Sequence, residues 1–223
     1  MDSARIDSVQ RRDVIAAVAA EIEAMPARWV RRVGVDGVDG AGKTTFADEL
    51  AQRLRQSGTT VIRACVDDFH RPRAERYARG RDDADGYFLD SFDYPTIRRD
   101  LLDPLGPGGS GRHALKRFDH RTDELVEPRW QQARSGDVLV FDGVFLHRPE
   151  LCDAWDYSVF LDVTTDTSVH RCALRDGSPD DITDPSLHRY LLGQQRYLRD
   201  CDPTVRATLL IDHNDLARPR RVR

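Results

Sequence analysis

The sequence predicts an α/β protein of three layers: a mostly parallel, five-stranded sheet with helices on both faces and a small lid. Three observations carry this. Short apolar runs alternate with helix-length segments along most of the chain, the pattern of strand–helix–strand crossovers. A glycine-rich turn, GVDGVDGAGKTT at residues 34 to 45, joins the first run to a long helix. A later run, Val138 to Phe141, ends in a carboxylate, Asp142.

Taken in order, Val14, Ile15, Val18, Ala19 and Ile22 recur at helical spacing, so residues 7 to 24 form an amphipathic helix within an N-terminal segment, residues 1 to 28. Trp29 to Asp36 reads as a strand, and Lys43 to Gln56 as a helix stopped by Ser57-Gly58. Thr59 to Val66, rich in β-branched residues, is a second strand. Asp137 to Phe141, Tyr157 to Val163 and Ala207 to Asp212 suit buried parallel strands, whose two covered faces make the run continuously apolar. Helices fit Thr96 to Leu102, Asp166 to Arg175 and Pro185 to Arg199. Residues 70 to 95 carry no period, and GPGGSG (106 to 111) is a turn before a candidate strand at Leu115 to Phe118. No linker divides the chain, so residues 1 to 223 read as one domain.

Composition narrows the class. With 223 residues, 39% hydrophobic and 32% charged, the chain can bury a sizeable core and is not disordered. A net charge of −4 disfavours nucleic acid as a partner, since no global positive field collects phosphates. The arginines between 71 and 81 and the RPRRVR tail read as solvated surface in preference to a polyanion site. Four dispersed cysteines predict reduced, mostly core thiols in a cytoplasmic protein. The apolar run Val14 to Ala20 is too short to span a membrane. A homo-oligomer is compatible with all of this.

The register of the repeated Gly-Val-Asp is set by spacing. Only Gly37 satisfies Gly-x4-Gly-Lys-Ser/Thr, so Gly34 belongs to the strand. Such a loop wraps phosphate with successive backbone N–H groups, and glycines at 37, 40 and 42 allow the close approach. Gly37, Asp39, Gly40, Ala41, Gly42, Lys43, Thr44 and Thr45 are therefore the nucleotide-binding residues, with Asp39 the loop's variable position. Lys43 reaches the β- and γ-phosphates, and the Thr44 hydroxyl ligates Mg²⁺. Of the 34 basic residues only Lys43 and Lys116 are lysines, so a compact ammonium stands in the loop of a chain that otherwise uses arginine.

Asp142, at the end of its strand, fits a second acid for the metal. Val66-Asp67-Asp68-Phe69-His70 ends the second strand at the same sheet edge as the loop. A carboxylate there takes the proton of an attacking hydroxyl, or caps the following turn. His70 is an acceptor contact or a polar loop residue. No Asn-Lys-x-Asp guanine reader is present, which argues against a regulatory GTPase, and little room remains for the extra domains of a mechanical ATPase.

At this point the chain resembles the uridine kinase and phosphoribulokinase-like branch of P-loop small-molecule kinases. GVDGAGKTT looks like that family's loop, VDDFH is similar to its Asp-x-Phe-Tyr motif, and Phe92-Asp93-Tyr94-Pro95 resembles Phe-Asp-His-Pro. Arg117-Phe118-Asp119 resembles its acceptor-side Tyr-Asp-Phe, and Arg171-Cys-Ala-Leu-Arg175-Asp176 resembles the arginine pair that opens the lid. The resemblance implies an ATP- and Mg²⁺-dependent kinase that phosphorylates a hydroxyl of a small molecule, uridine kinase-like. It implies Asp67 as general base and metal neighbour, with Lys43, Arg171 and Arg175 as catalytic cations. Residues 70 to 120 would be an acceptor-side insertion, 176 to 185 a lid, and Asp68, Phe69, His70, Tyr94, Arg117 and Phe118 acceptor contacts. Phe69, Phe92 and Phe118 stack on a ring or pack in the core. The departures at His70, Tyr94 and Arg117 all fall on the acceptor side, which keeps pantothenate, nicotinamide riboside and sugars open as acceptors. The loop also looks like that of thymidylate kinases, whose Asp-Arg-Tyr motif is missing. A nucleotide-gated binding protein or NTPase without an acceptor is the alternative of another class.

Overall fold

The computed structural model describes residues 8–223, so the part of the expected first helix before Ser8 lies outside the described residues. Strands β1 (Arg31–Gly37), β2 (Val61–Cys65), β3 (Val138–Gly143), β4 (Tyr157–Asp162) and β5 (Leu209–Asp212) are parallel neighbours in the order β5-β4-β1-β3-β2. A sixth strand, β6 (Arg220–Arg221), pairs antiparallel with β5, so the sheet has six strands, not five. A two-residue strand has no periodicity to read. It is tied down by charge instead, with Arg220 2.5 Å from Asp212 and Arg221 2.5 Å from Glu21.

The continuous apolar strands do face two ways. Val138 and Val140 of β3 enter one core, with Val33, Val35, Val159 and Leu161. Leu139 and Phe141, which alternate with them, enter the other, with Phe160. Helices α1 (Val9–Ala24) and α2 (Lys43–Gln56) cover the first face through Ile15, Val18, Ile22, Phe46, Leu50 and Leu54. Ser8 caps α1 by accepting the Arg11 N–H at 3.0 Å. The second face is covered by α3 (Ala84–Asp90) and, beyond α4 (Thr165–Asp176), by α5 (His188–Cys201). Each fully buried Ile, Leu or Phe contributes about 1.5–3 kcal/mol, so the two layers hold the sheet more firmly than any cap.

Gly34 lies in β1 as expected from the register, and the reason is a neighbour: a Cβ there would stand 3.0 Å from the Trp155 ring. Other expectations are corrected. Residues 70 to 95 hold two short helices, Arg73–Arg76 and α3, the second capped by Asp83 accepting from Gly86 N–H. Helices this short show too few turns for a period. The candidate strand at Leu115 to Phe118 is instead a two-residue ladder, Phe118–Asp119 against Glu124–Leu125, closed by a turn with Asp123 at positive φ. The expected helix at Thr96 to Leu102 is present within a helical run from Tyr94 to Leu105, but its middle, Arg98–Leu102, is wound as a π-helix. All four cysteines are free thiols, but only Cys201 is buried, against the expectation of mostly core residues. Among the described residues no helix is long and apolar enough to cross a membrane.

Candidate active site

The loop between β1 and α2 is built for close approach. Gly40 has φ +68°, and a Cβ on it would lie 2.4 Å from the Ser168 carbonyl oxygen. Gly42, the residue before α2, offers no side-chain cap, so the first-turn N–H groups of that helix keep no side-chain acceptor. An uncapped helix start of this kind attracts an anion. The Lys43 ammonium arches over the loop and donates to the Val38 carbonyl at 2.8 Å. Thr45 stands exposed in the first turn of α2.

Next to the loop, the Thr44 hydroxyl donates to Asp142 Oδ2 at 2.7 Å. Asp142 is 1% exposed, and its other oxygen lies 2.7 Å from Arg63 Nη1. The strand-end acid thus arrives beside the loop threonine because β3 and β1 are adjacent and in parallel register, Val35 opposite Asp142.

A cleft of about 490 Å³ opens on this edge, a size that suits a small ligand. Its lining includes Asp39, Lys43, Thr44, Asp67, Asp142, Arg175 and Asp176, and also His70, Tyr87, Phe92, Tyr190 and Gln194. The short 3-10 turn Val66–Phe69 separates the two adjacent acids. Asp67 is exposed and faces the cleft, whereas Asp68 turns away toward Lys116, 3.5 Å off, and burial pushes its carboxyl pKa up. The His70 ring meets the Asp67 carbonyl at 2.9 Å and the Phe92 ring at 4.5 Å, and burial lowers its pKa, which favours the neutral ring.

Several expected acceptor contacts do not reach the cleft. Phe69 and Phe118 are fully buried, the first against Phe141, because a phenyl ring gains more from the core than from an open turn. Tyr94 is buried with the Arg148 guanidinium 4.6 Å above its ring. Arg117 pairs with Asp100. The two arginines of α4 also part company. Arg175 lines the cleft, paired with Asp176 at 2.8 Å. Arg171, one turn earlier, donates to the carbonyls of His213 at 2.9 Å and Asn214 at 2.7 Å, so it is not a lid arginine in this arrangement. Three arginines of the arginine-rich segment are spent locally: Arg76 on Asp123, Arg79 on Asp90, Arg71 on the Phe92 carbonyl.

The cleft residues that sequence reasoning missed include Tyr87, Tyr190 and Gln194. Asp39 accepts hydrogen bonds from the Tyr87 hydroxyl at 2.8 Å and from Gln194 Nε2 at 2.9 Å. Tyr87 sits on α3, in the segment without a period. Tyr190 and Gln194 are four apart on α5, and that shared face was a legible signal.

A parallel sheet carrying an open phosphate loop, a threonine–aspartate pair beside it and a free acid across the cleft define a P-loop phosphotransferase. The sequence profile of the Phosphoribulokinase / Uridine kinase family matches residues 32–179. The chain belongs to that family, whose members are ATP-dependent phosphotransferases acting on a hydroxyl. It is 27% identical over 145 residues to the uridine kinase of Leuconostoc citreum, a match that takes in 65% of this chain and 67% of that one. It is 29% identical over 150 residues to uridine-cytidine kinase B of Dictyostelium discoideum, covering 65% of this chain and 57% of the other. The structure of a possible uridine kinase from Bacillus stearothermophilus superposes with a TM-score of 0.71 at 26% identity, over 89% of this chain and 97% of that one.

Proposed function

We propose that this protein moves the γ-phosphate of ATP, with Mg²⁺, to a hydroxyl of a small molecule that carries no negative charge, a nucleoside or a similar metabolite. The observation that carries it is the charge layout of the cleft. Among its described lining residues the permanent cations are Lys43 and Arg175, both beside the phosphate loop and the lid segment, against four carboxylates, Asp39, Asp67, Asp142 and Asp176. The part walled by His70, Tyr87, Phe92, Tyr190 and Gln194, which we assign to the acceptor, holds no permanent cation. Four carboxylates against two cations repel an anionic acceptor and welcome hydroxyls as hydrogen-bond donors. Tyr87, Phe92 and Tyr190 give that part the flat apolar walls that a base or ring packs against.

The metal fits the donors present. Mg²⁺ takes oxygen ligands, keeps several waters and shares the phosphates, so it needs only one or two protein oxygens. The Thr44 hydroxyl and the Asp142 carboxylate, already in contact, are those oxygens, with Asp67 facing the same cleft. When bound, the ion neutralises charge on the phosphates. The protein's own residues do the rest. Lys43 and the loop N–H groups hold the phosphates, and Arg175 offsets charge on the transferring group. Asp67 accepts the proton of the attacking hydroxyl at a carboxylate oxygen. Residues 176 to 185, joined to Arg175 and carrying the cleft residue Ser178, act as a lid that keeps water from competing.

The test is incubation with ATP, Mg²⁺ and an acceptor series graded by charge: uridine, cytidine, fructose, nicotinamide riboside and pantothenate, with products read by mass spectrometry. Phosphorylation of a neutral or cationic member is expected. Free phosphate alone, with every acceptor unchanged, overturns the reading in favour of an NTPase. Phosphorylation of pantothenate alone overturns the charge argument.

A further inference from the structure

The phosphate loop is held by residues far from it in sequence. Three consecutive loop carbonyls each meet a side-chain donor. Ser168 Oγ donates to the Asp39 carbonyl at 2.6 Å, Arg171 Nη1 approaches the Gly40 carbonyl at 3.4 Å, and His213 Nδ1 lies 2.6 Å from the Ala41 carbonyl. Ser168 and Arg171 stand on α4, within the segment matched by the family profile. His213 follows β5, outside that segment.

His213 is fully buried and fixed on every side. Its backbone N–H donates to the Asp162 carbonyl at 2.8 Å, and its ring meets Phe46 edge-on at 5.9 Å. Arg11 Nη1 is 2.9 Å from His213 Nε2, and also donates to the Leu216 carbonyl at 2.7 Å. Arg11 is itself 2% exposed and paired through Nε with Glu49 at 2.8 Å. A guanidinium only donates, so Nε2 must be the acceptor and the ring proton must sit on Nδ1, aimed at the Ala41 oxygen. Burial, with Arg11 and Arg171 nearby, lowers the imidazole pKa to about 4, in agreement with a neutral ring.

We infer that Arg11 and His213 are positioning residues for nucleotide binding: the N-terminal helix sets the tautomer of His213, and His213 orients the peptide between Ala41 and Gly42. In a trans peptide the N–H lies opposite the C=O. Holding the Ala41 carbonyl toward His213 therefore turns the Gly42 N–H the opposite way, where a phosphate oxygen is to be met, before any ligand arrives. Preorganised donors bind more tightly because no reorganisation is left to be done on binding. Neither residue lines the cleft.

The inference rests on the nucleotide reading of the loop but not on the acceptor, so calorimetry with Mg²⁺–ADP alone reads it. Wild-type protein that fails to bind ADP removes the nucleotide reading itself. His213→Phe keeps a ring against Phe46 but gives Ala41 no donor, and it is expected to weaken ADP affinity about tenfold, the scale of one buried hydrogen bond. In steady state the KM for ATP rises with it while kcat changes by less than about threefold. His213→Asn, whose amide nitrogen takes the place of Nδ1, restores affinity to within about threefold of wild type. Arg11→Met frees the tautomer without altering His213 and lowers ADP affinity in the same direction, which keeps the inference testable if His213→Phe does not fold. Unchanged ADP affinity in His213→Phe or Arg11→Met overturns it. So does an Asn variant as weak as the Phe variant, since shape rather than the donated proton would then be at work.

Discussion

Thr44 and Asp142 meet at 2.7 Å, although 98 residues separate them, because β1 and β3 are parallel neighbours that end level with each other. That contact joins the phosphate loop to the strand-end acid and leaves Asp142 shared between a hydroxyl and the Arg63 guanidinium.

Asp142→Ala should therefore do two things. The Mg²⁺ concentration needed for half-maximal activity rises, read by metal titration of the transfer rate. Arg63 keeps Asp48, an exposed residue, as its carboxylate partner, and the loss of a buried ionic contact costs about 3 kcal/mol, read by urea unfolding. A variant with unchanged stability and metal dependence would remove Asp142 from the site.

The two arginines of α4 should separate in kinetics. Arg175→Ala, in the cleft, lowers kcat by about tenfold or more with ADP affinity little changed. Arg171→Ala, which ties carbonyls 213 and 214 to the loop, acts on ADP affinity instead. Equal kcat losses in both would restore the paired lid clamp suggested by their spacing.

Asp39 should gate acceptor charge. Asp39→Asn removes one of the four carboxylates lining the cleft, so the ratio of kcat/KM for uridine over pantothenate falls by about tenfold. The same ratio in wild type and variant would show that Asp39 plays no part in selection.

The tail strand carries an acid-sensitive contact. Hydrogen bonds from Arg220 and then Asn214 hold the Asp212 carboxyl down at about 2. A carboxylate lowered on folding stabilises the native state above its unfolded value, near 4, and that contribution is lost as pH falls through about 2. Urea unfolding from pH 5 to 2 should show a loss across this window that is smaller in Arg220→Gln. An identical slope would mean that β6 contributes nothing through this pair.

How much of this was legible in the sequence follows from which interactions are local. The loop register was readable because phosphate binding by backbone N–H groups fixes the spacing from Gly37 to Lys43. Asp67 and Asp142 were readable because parallel strands deliver their ends to one edge. Phe69, Tyr94 and Phe118 were misplaced because a motif match says nothing of whether a ring faces the cleft or the core, and packing chose the core. Arg171 and Arg175 share a helix face, but one turn separates a cleft contact from a carbonyl anchor. Tyr87 was out of reach, since α3 has seven residues and no visible period. His213 was invisible for another reason: its partners, Arg11 and Ala41, come together only when both chain ends fold onto α2.

The central claim is that Asp67 draws the proton from an acceptor hydroxyl while the loop holds ATP. Transfer of label from γ-labelled ATP to uridine, followed in wild type and Asp67→Asn with ADP affinity measured on the same samples, tests it most directly. The account predicts labelled uridine monophosphate from wild type, and in the variant equal ADP affinity with transfer at least ~100-fold slower. Near-normal transfer by Asp67→Asn, or label found only in free phosphate, would contradict it.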